Sequence, residues 1–204
     1  MSKQKIRWGI LSTGRIARRF AEAIKAMEDA ELIAVGSRQI DKAQAFTSEY
    51  GIPHAHGSYE SLAADPDVDA IYVSTPHPMH KENSIVCLNA GKAVLCEKPF
   101  TINAAEAGAV IDTARAKGVF LMEAMWTRFL PGLAKVRELI TAGAIGQPRM
   151  LSADFGFRAA FDPTSRLFDP HLGGGSLLDV GVYLSLIHIS EPTRLLSISY
   201  AVFC

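Results

Sequence analysis

The 204-residue chain carries no excess of either charge, its 21 Lys+Arg balancing 21 Asp+Glu. A neutral surface offers no electrostatic footprint for nucleic acid or for an anionic membrane. The chain also lacks any apolar run of the roughly 18–20 residues that a membrane span requires. Its opening, MSKQKIRWGIL, has neither the long apolar region nor the small-residue cleavage site of a secretory signal. Cysteine is scarce: Cys87, Cys96 and Cys204 are the only three, at no metal-type spacing. An odd count without pattern argues against a disulfide framework. The expectation is a cytoplasmic protein with small buried thiols, no nucleic-acid partner and no membrane partner.

The first 124 residues alternate two periodicities. Ile6–Leu11 is an apolar run that ends in Ser-Thr-Gly, followed by Ile16, Phe20, Ile24 and Met27 at helical spacing. Residues 32–35, 68–73, 94–96 and 119–122 read as further short buried strands. Between them lie helices, one with Asp41 as its cap and Gly51 as its stop, one from about Met79 to Gly91, and one opened by Asn103 with Glu106 as a capping box and closed by Gly118. Strand and helix in strict alternation imply parallel strands with right-handed crossovers, hence a doubly wound sheet. After Ala124 the pattern changes. Pro131 can open a helix running to Gly143 with Leu133, Val136, Leu139 and Ile140 on one face, then 149–157 reads as a strand before a long loop rich in Asp, Pro and Gly.

Gly9-Ile-Leu-Ser-Thr-Gly14-Arg-Ile-Ala17 sits between the first strand and the first helix, the context of a dinucleotide-binding turn. The fingerprint is imperfect, because Ser12 stands where its first glycine belongs, with Gly14 and Ala17 in the other two places. Ser12, Thr13, Gly14, Arg15 and Ile16 are therefore the expected pyrophosphate contacts, made on helix N-terminal amides. At the end of the second strand an acidic residue would favour NAD, and this chain has Ser37 and Arg38 instead. A hydroxyl and a guanidinium suit a phosphate monoester, so NADP is the expected cofactor and NAD the alternative.

Three further motifs occur in order: Ser74-Thr-Pro-His-Pro-Met-His80, Glu97-Lys98-Pro99 and Gly173-Gly-Gly-Ser-Leu-Leu-Asp179-Val-Gly-Val-Tyr183. With them the chain resembles, over residues 5–183, the glucose-fructose oxidoreductase/inositol dehydrogenase (Gfo/Idh/MocA) family. Met122-Glu-Ala-Met-Trp-Thr-Arg-Phe-Leu-Pro131 resembles the branch of dimeric dihydrodiol dehydrogenase and NADP-dependent xylose dehydrogenase. The resemblance implies an α/β fold in which an N-terminal Rossmann domain (1–124) precedes the start of an α+β domain with a mostly antiparallel sheet (125–183). It implies hydride transfer between a nicotinamide and a hydroxyl-bearing carbon of a sugar, diol or cyclitol, in a homo-oligomeric enzyme. Tyr183 would be the acid/base, Lys98 the cation that assists it, and Asp179 an orienter of substrate hydroxyls. Phenols ordinarily lose their proton near pH 10, so such a role needs a neighbouring cation. Thr75, Pro76, His80, Glu97 and Lys98 would border the cofactor, with Trp126 and Arg128 in the substrate pocket. The family's Lys-Pro bond is usually cis. His77 and His80 are read as loop residues beside the nicotinamide, and no metal is expected. The rival reading is an NADP-binding regulator of the same family without turnover.

Residues 184–204 stand apart. LSLIHISEPTR (184–194) and ISYAVFC (198–204) resemble the translation of a sequencing adapter, so 184–204 are expected to be non-native. The second domain is then cut short after its first helix and strand, so the 204-residue chain is expected to be inactive and its complete parent active.

Overall fold

The computed structural model describes residues 5–150 and 152–185, together with the backbone of 201–203. Two compact units divide at residue 124, Met1–Ala124 and Met125–Cys204.

The first unit is built on six strands: β1 (Ile6–Leu11), β2 (Ala30–Gly36), β3 (His54–His56), β4 (Ala70–Val73), β5 (Ala93–Cys96) and β6 (Leu121–Glu123). They lie in the order β3-β2-β1-β4-β5-β6, every pair parallel. Alternation along each strand feeds two cores. Leu11, Ile71, Val73, Val94 and Cys96 face one side, packed with Leu62, Leu88 and Val110 from α3 (Tyr59–Ala63), α4 (His80–Asn89) and α5 (Ala104–Lys117). Ile10, Leu32, Val35 and Tyr72 face the other, packed with Ala17, Ala21, Ile24 and Phe46 from α1 (Arg15–Lys25) and α2 (Ile40–Tyr50). Helices on both faces make this the doubly wound Rossmann arrangement.

Local chemistry explains the element ends. α1 buries Ala17, Ala21 and Ile24, whereas Ile16 and Met27 are exposed. Small side chains on the sheet-facing stripe let the helix lie close to β1, the task of the fingerprint's third position. α2 is capped by Gln39, not Asp41; Asp41 sits inside the first turn, where the helix dipole favours a carboxylate. Gly51 and Gly118 close their helices at φ 67° and 63°. Asn103 accepts from the Glu106 N–H at 2.9 Å, but Glu106 returns its carboxylate to the N–H of Ile102, one residue earlier than a capping box predicts. β3 and α3 have no counterpart in the sequence reading.

The second unit holds a 3₁₀ turn (Trp126–Phe129), α6 (Pro131–Thr141), β7 (Phe155–Phe157) and a π-helical turn (Leu177–Gly181) that runs on as α-helix through Ser185. Only the end of the expected 149–157 strand is extended as such, and β7 pairs in parallel with β8 (Ala201–Phe203). Among the described residues the second unit shows no antiparallel pair of the kind the resemblance implies. On α6, Val136 and Leu139 are exposed, as are Ile145, Met150 and Phe161 later in the chain. Most of 184–204 also falls outside the described residues. No helix among the described residues is long and apolar enough to cross a membrane.

Candidate functional site

In the first unit the strand order reverses between β1 and β4, and open α/β sheets bind ligands in the crevice beyond the strand ends at such a point. A cleft of about 870 Å³ opens there, floored by Ser12, Thr13 and Gly14 after β1 and bordered by Pro76 after β4. Gly14 caps α1, whose first turn holds no acidic residue, so its amides are free to face an anion. Ser12 adopts φ 109°, the left-handed side of backbone space that a glycine enters without strain. Its N–H donates to the Gly36 carbonyl at 2.9 Å, tying the turn to the end of β2. Gly36 is itself required: a Cβ there would stand 2.9 Å from Leu62 Cβ.

Beyond β2, Ser37, Arg38, Gln39 and Lys42 line the cleft with Arg18, Ala45, Phe46 and Tyr59. Three cations therefore line this end, and no carboxylate is among the lining residues. Arg18 pairs with Glu49 and lies over the Phe46 ring at 5.4 Å. Burial pushes the Tyr59 phenol up, against the charge and hydrogen bond of Arg38. Ser12, Thr13, Gly14, Ser37, Arg38 and Pro76 from the sequence reading thus share one cavity. Arg15 and Ile16 open α1 without lining it, and Arg18, Lys42 and Tyr59 were not foreseen. For Arg18 and Lys42 the offset of four from Gly14 and Arg38 was the available signal; Tyr59, on α3, carried none.

The loops after β4 and β5 are braced together. His80 is fully buried, with Nε2 2.8 Å from the Thr75 carbonyl and Nδ1 2.8 Å from the Pro99 carbonyl. Asn83 adds a bond to Thr75 Oγ1 at 3.0 Å. With both ring nitrogens on carbonyl oxygens, His80 acts as a bracket between two loops. The Lys98–Pro99 peptide bond is cis. Ahead of it, the buried Glu97 accepts from the Tyr72 hydroxyl and, at 3.0 Å, from the Lys98 N–H. Phe20 stacks on Tyr72 at 4.0 Å, fixing the ring that holds Glu97. Glu123, at the end of β6, accepts the Phe100 N–H at 3.0 Å. Burial, with the charge of Glu97 adding to it, raises this carboxyl above its ordinary value of 4.5.

The remaining predicted residues lie in the second unit. Asp179 is buried within the π-helical turn, a form that often marks functional positions, and accepts from Arg166 Nη1 at 3.3 Å. Tyr183 follows it on the same helical run, and its Oη accepts from Trp126 Nε1 at 3.0 Å. Phe155 packs against Tyr183 at 5.4 Å between centroids, completing an aromatic cluster of three. Phe155 was missed because a lone aromatic on a short strand carries no signal. The carbonyl of Arg128 accepts from Arg137 at 3.0 Å. In the glycine run before the helix, a Cβ on Gly174 would stand 2.6 Å from the Asp169 carbonyl, so the chain can fold back only with glycine there.

Residues 6–125 match the family described as GFO_IDH_MocA, an oxidoreductase family with an NAD-binding Rossmann fold. Residues 133–187 match the GFO/IDH/MocA C-terminal domain. The chain is 46% identical over 180 residues to trans-1,2-dihydrobenzene-1,2-diol dehydrogenase of Mus musculus, covering 87% of this chain and 54% of the relative. The Danio rerio protein of the same name is 44% identical, with 87% and 53% covered. Among solved structures, aldose-aldose oxidoreductase from Caulobacter crescentus, complexed with glycerol, superposes with a TM-score of 0.84 at 31% identity, covering 94% of this chain and 58% of that one. KijD10, a 3-ketoreductase from Actinomadura kijaniata in complex with NADP, superposes with a TM-score of 0.78 at 33% identity, covering 91% and 56%. The chain spans about half the length of the relatives it matches.

Proposed function

This chain belongs to the GFO/IDH/MocA oxidoreductase family, and from that premise we propose that its first unit binds NADP for hydride exchange with a sugar, diol or cyclitol. Nucleotide binding is proposed for the chain as it stands. Turnover is proposed for these residues joined to a second unit of the relatives' length.

The observation that carries the cofactor choice is the cleft beyond β2. Arg18, Arg38 and Lys42 line it with Ser37, and no carboxylate lines it. A 2′-phosphate gains charge-assisted hydrogen bonds from such a set, whereas the 2′-hydroxyl of NAD gains little. The glycine-capped start of α1 suits the pyrophosphate. KijD10, whose structure holds NADP, is a neighbour with this fold.

When bound, the nicotinamide supplies the acceptor or donor of the hydride. The chain's own residues handle the proton and the geometry. Tyr183, as its phenolate, takes the proton of the hydroxyl on the reacting carbon, and the charge of Lys98 is assigned to favour that phenolate. Trp126 holds the Tyr183 oxygen in one direction through its 3.0 Å bond. Asp179, clamped by Arg166, orients a substrate hydroxyl. The aromatic cluster of Trp126, Phe155 and Tyr183 gives an apolar wall for the carbon face of a diol or sugar ring. The named relatives act on dihydrodiols and aldoses, which fits such a wall.

The test has two parts. NADPH and NADH are titrated against the chain by fluorescence, and tighter binding of NADPH is expected. The protein carrying a full second unit is then assayed by nicotinamide absorbance with trans-dihydrodiols and pentoses. NADPH binding without turnover on any of them would replace the enzyme by a cofactor-binding regulator.

A further inference from the structure

Away from the nucleotide cleft, three side chains of metal-ligand type meet at one point. His54 and His56 are two apart on β3, so both rings leave the sheet on the same face. Asp65 lies between α3 and β4. Its Oδ2 stands 2.7 Å from His54 Nδ1 and 2.8 Å from His56 Nε2. Its other oxygen accepts the Asp67 N–H at 2.9 Å, which fixes the carboxylate plane and keeps Oδ2 turned toward the histidines. One ligand atom from each of the three lies within 4.8 Å of the other two.

We propose that His54, His56 and Asp65 form a binding site for a divalent transition-metal ion of the zinc type, which clips the edge strand β3 to the turn before β4. Two imidazole nitrogens and one carboxylate oxygen suit Zn²⁺, Ni²⁺ or Co²⁺ better than the oxygen-seeking Mg²⁺ or Ca²⁺. Tetrahedral bonds of ~2.0–2.1 Å place neighbouring ligand atoms roughly 3.3 Å apart. Each N···O contact therefore opens by roughly 0.5 Å on metal entry, which side-chain torsions supply. In the metal-free form one nitrogen of each ring shares a hydrogen bond with the same oxygen. On metal entry the nitrogen facing the ion offers its lone pair while the ring's single N–H sits on the opposite nitrogen, so no proton need be released. The side chains of His54 and His56 are 39% and 20% exposed, against 4% for Asp65. The ion thus has an entry path from solvent, an anionic ligand held in place behind it, and an open coordination position filled by water. The carbonyl of His56 also accepts the Ser37 N–H at 3.0 Å, so the clipped strand supports the rim of the nucleotide cleft.

The full chain is titrated with Zn²⁺ by calorimetry and with Co²⁺ by visible absorption, alongside His54→Gln and His56→Gln. Glutamine keeps a hydrogen bond to Asp65, and circular dichroism checks that both variants fold. One saturable ion per chain is expected, with affinity lowered by roughly tenfold or more in each variant and the tetrahedral Co²⁺ band lost. No saturable uptake would leave Asp65 as a hydrogen-bond acceptor only and overturn the site. Uptake unchanged in both variants would put the ion on other histidines and overturn it equally.

Discussion

Ser12 reaches the Gly36 carbonyl with its N–H at 2.9 Å while its own backbone is held at φ 109°. The bond joins the ends of two adjacent strands, and the conformation is the one for which the fingerprint reserves glycine. Non-glycine residues in such regions cost about 1–3 kcal/mol, and glycine's greater unfolded-state freedom costs about 0.5–1 kcal/mol in return. Ser12→Gly is therefore expected to stabilise the first unit by about 1 kcal/mol, measured by denaturant unfolding. A loss of stability would mean that the contact of Ser12 Oγ with the Gly14 N–H, at 3.4 Å, outweighs the strain.

Arg38→Ala tests the cofactor choice. If Arg38 binds the 2′-phosphate as proposed, its loss should weaken NADPH binding by about tenfold or more, about 1.4 kcal/mol, and leave NADH nearly unchanged. Fluorescence titrations with both nucleotides check this. Equal weakening of the two would assign Arg38 to the shared part of the cofactor.

Glu123 gives a pH-dependent prediction. Burial raises its folded-state carboxyl above the ordinary 4.5, so above pH 4.5 the folded state binds more protons than the unfolded state. Stability then falls as pH rises from 4.5 through the folded value, and the loss is complete above it. Glu123→Gln keeps an oxygen for the Phe100 N–H and removes this cost. The variant should melt higher than the parent at pH 7, with the gap closing by about pH 4.

Cys87 and Cys96 should resist alkylation. Burial pushes both thiols up to about 12, and both are fully buried, so the reactive thiolate is scarce and unreachable. Peptide mapping after iodoacetamide should find both unmodified in the native protein and both modified in denaturant. Native labelling would reveal opening of the sheet around β5.

The parts that were legible in the sequence rest on local signals. The apolar run of Ile6–Leu11, the left-handed glycines at 51 and 118, and Asn103 before α5 each act through neighbours in the chain. The same holds for Ser12, Thr13 and Gly14, because a strand followed by a small-residue turn specifies its own geometry. What escaped depends on distant partners. β3 has three half-buried residues, two of them histidine, so no periodicity marks it and its meeting with Asp65 is tertiary. Asp41 looked like a cap because its type favours caps, yet the chain enters α2 two residues earlier, at Gln39. Asp179 and Tyr183 are four apart, yet the chain there opens a π-helical turn at Leu177–Gly181, which spacing alone does not signal. The bonds of Tyr72 to Glu97 and of Trp126 to Tyr183 span 25 and 57 residues, beyond any local pattern.

The sheet order has a consequence for synthesis. β1 is made before the other five strands of its sheet, yet it occupies an interior position between β2 and β4. Its apolar residues, Ile10 and Leu11, are buried on opposite faces; the edge toward β2 can pair once Gly36 is made, but the edge toward β4 stays open until Val73 has been made. At ~5–20 residues per second, the nascent strand waits several seconds for its second neighbour. During that interval one edge of the strand presents unpaired backbone groups, and the speed of translation through α3 and β4 governs how long that edge stays open.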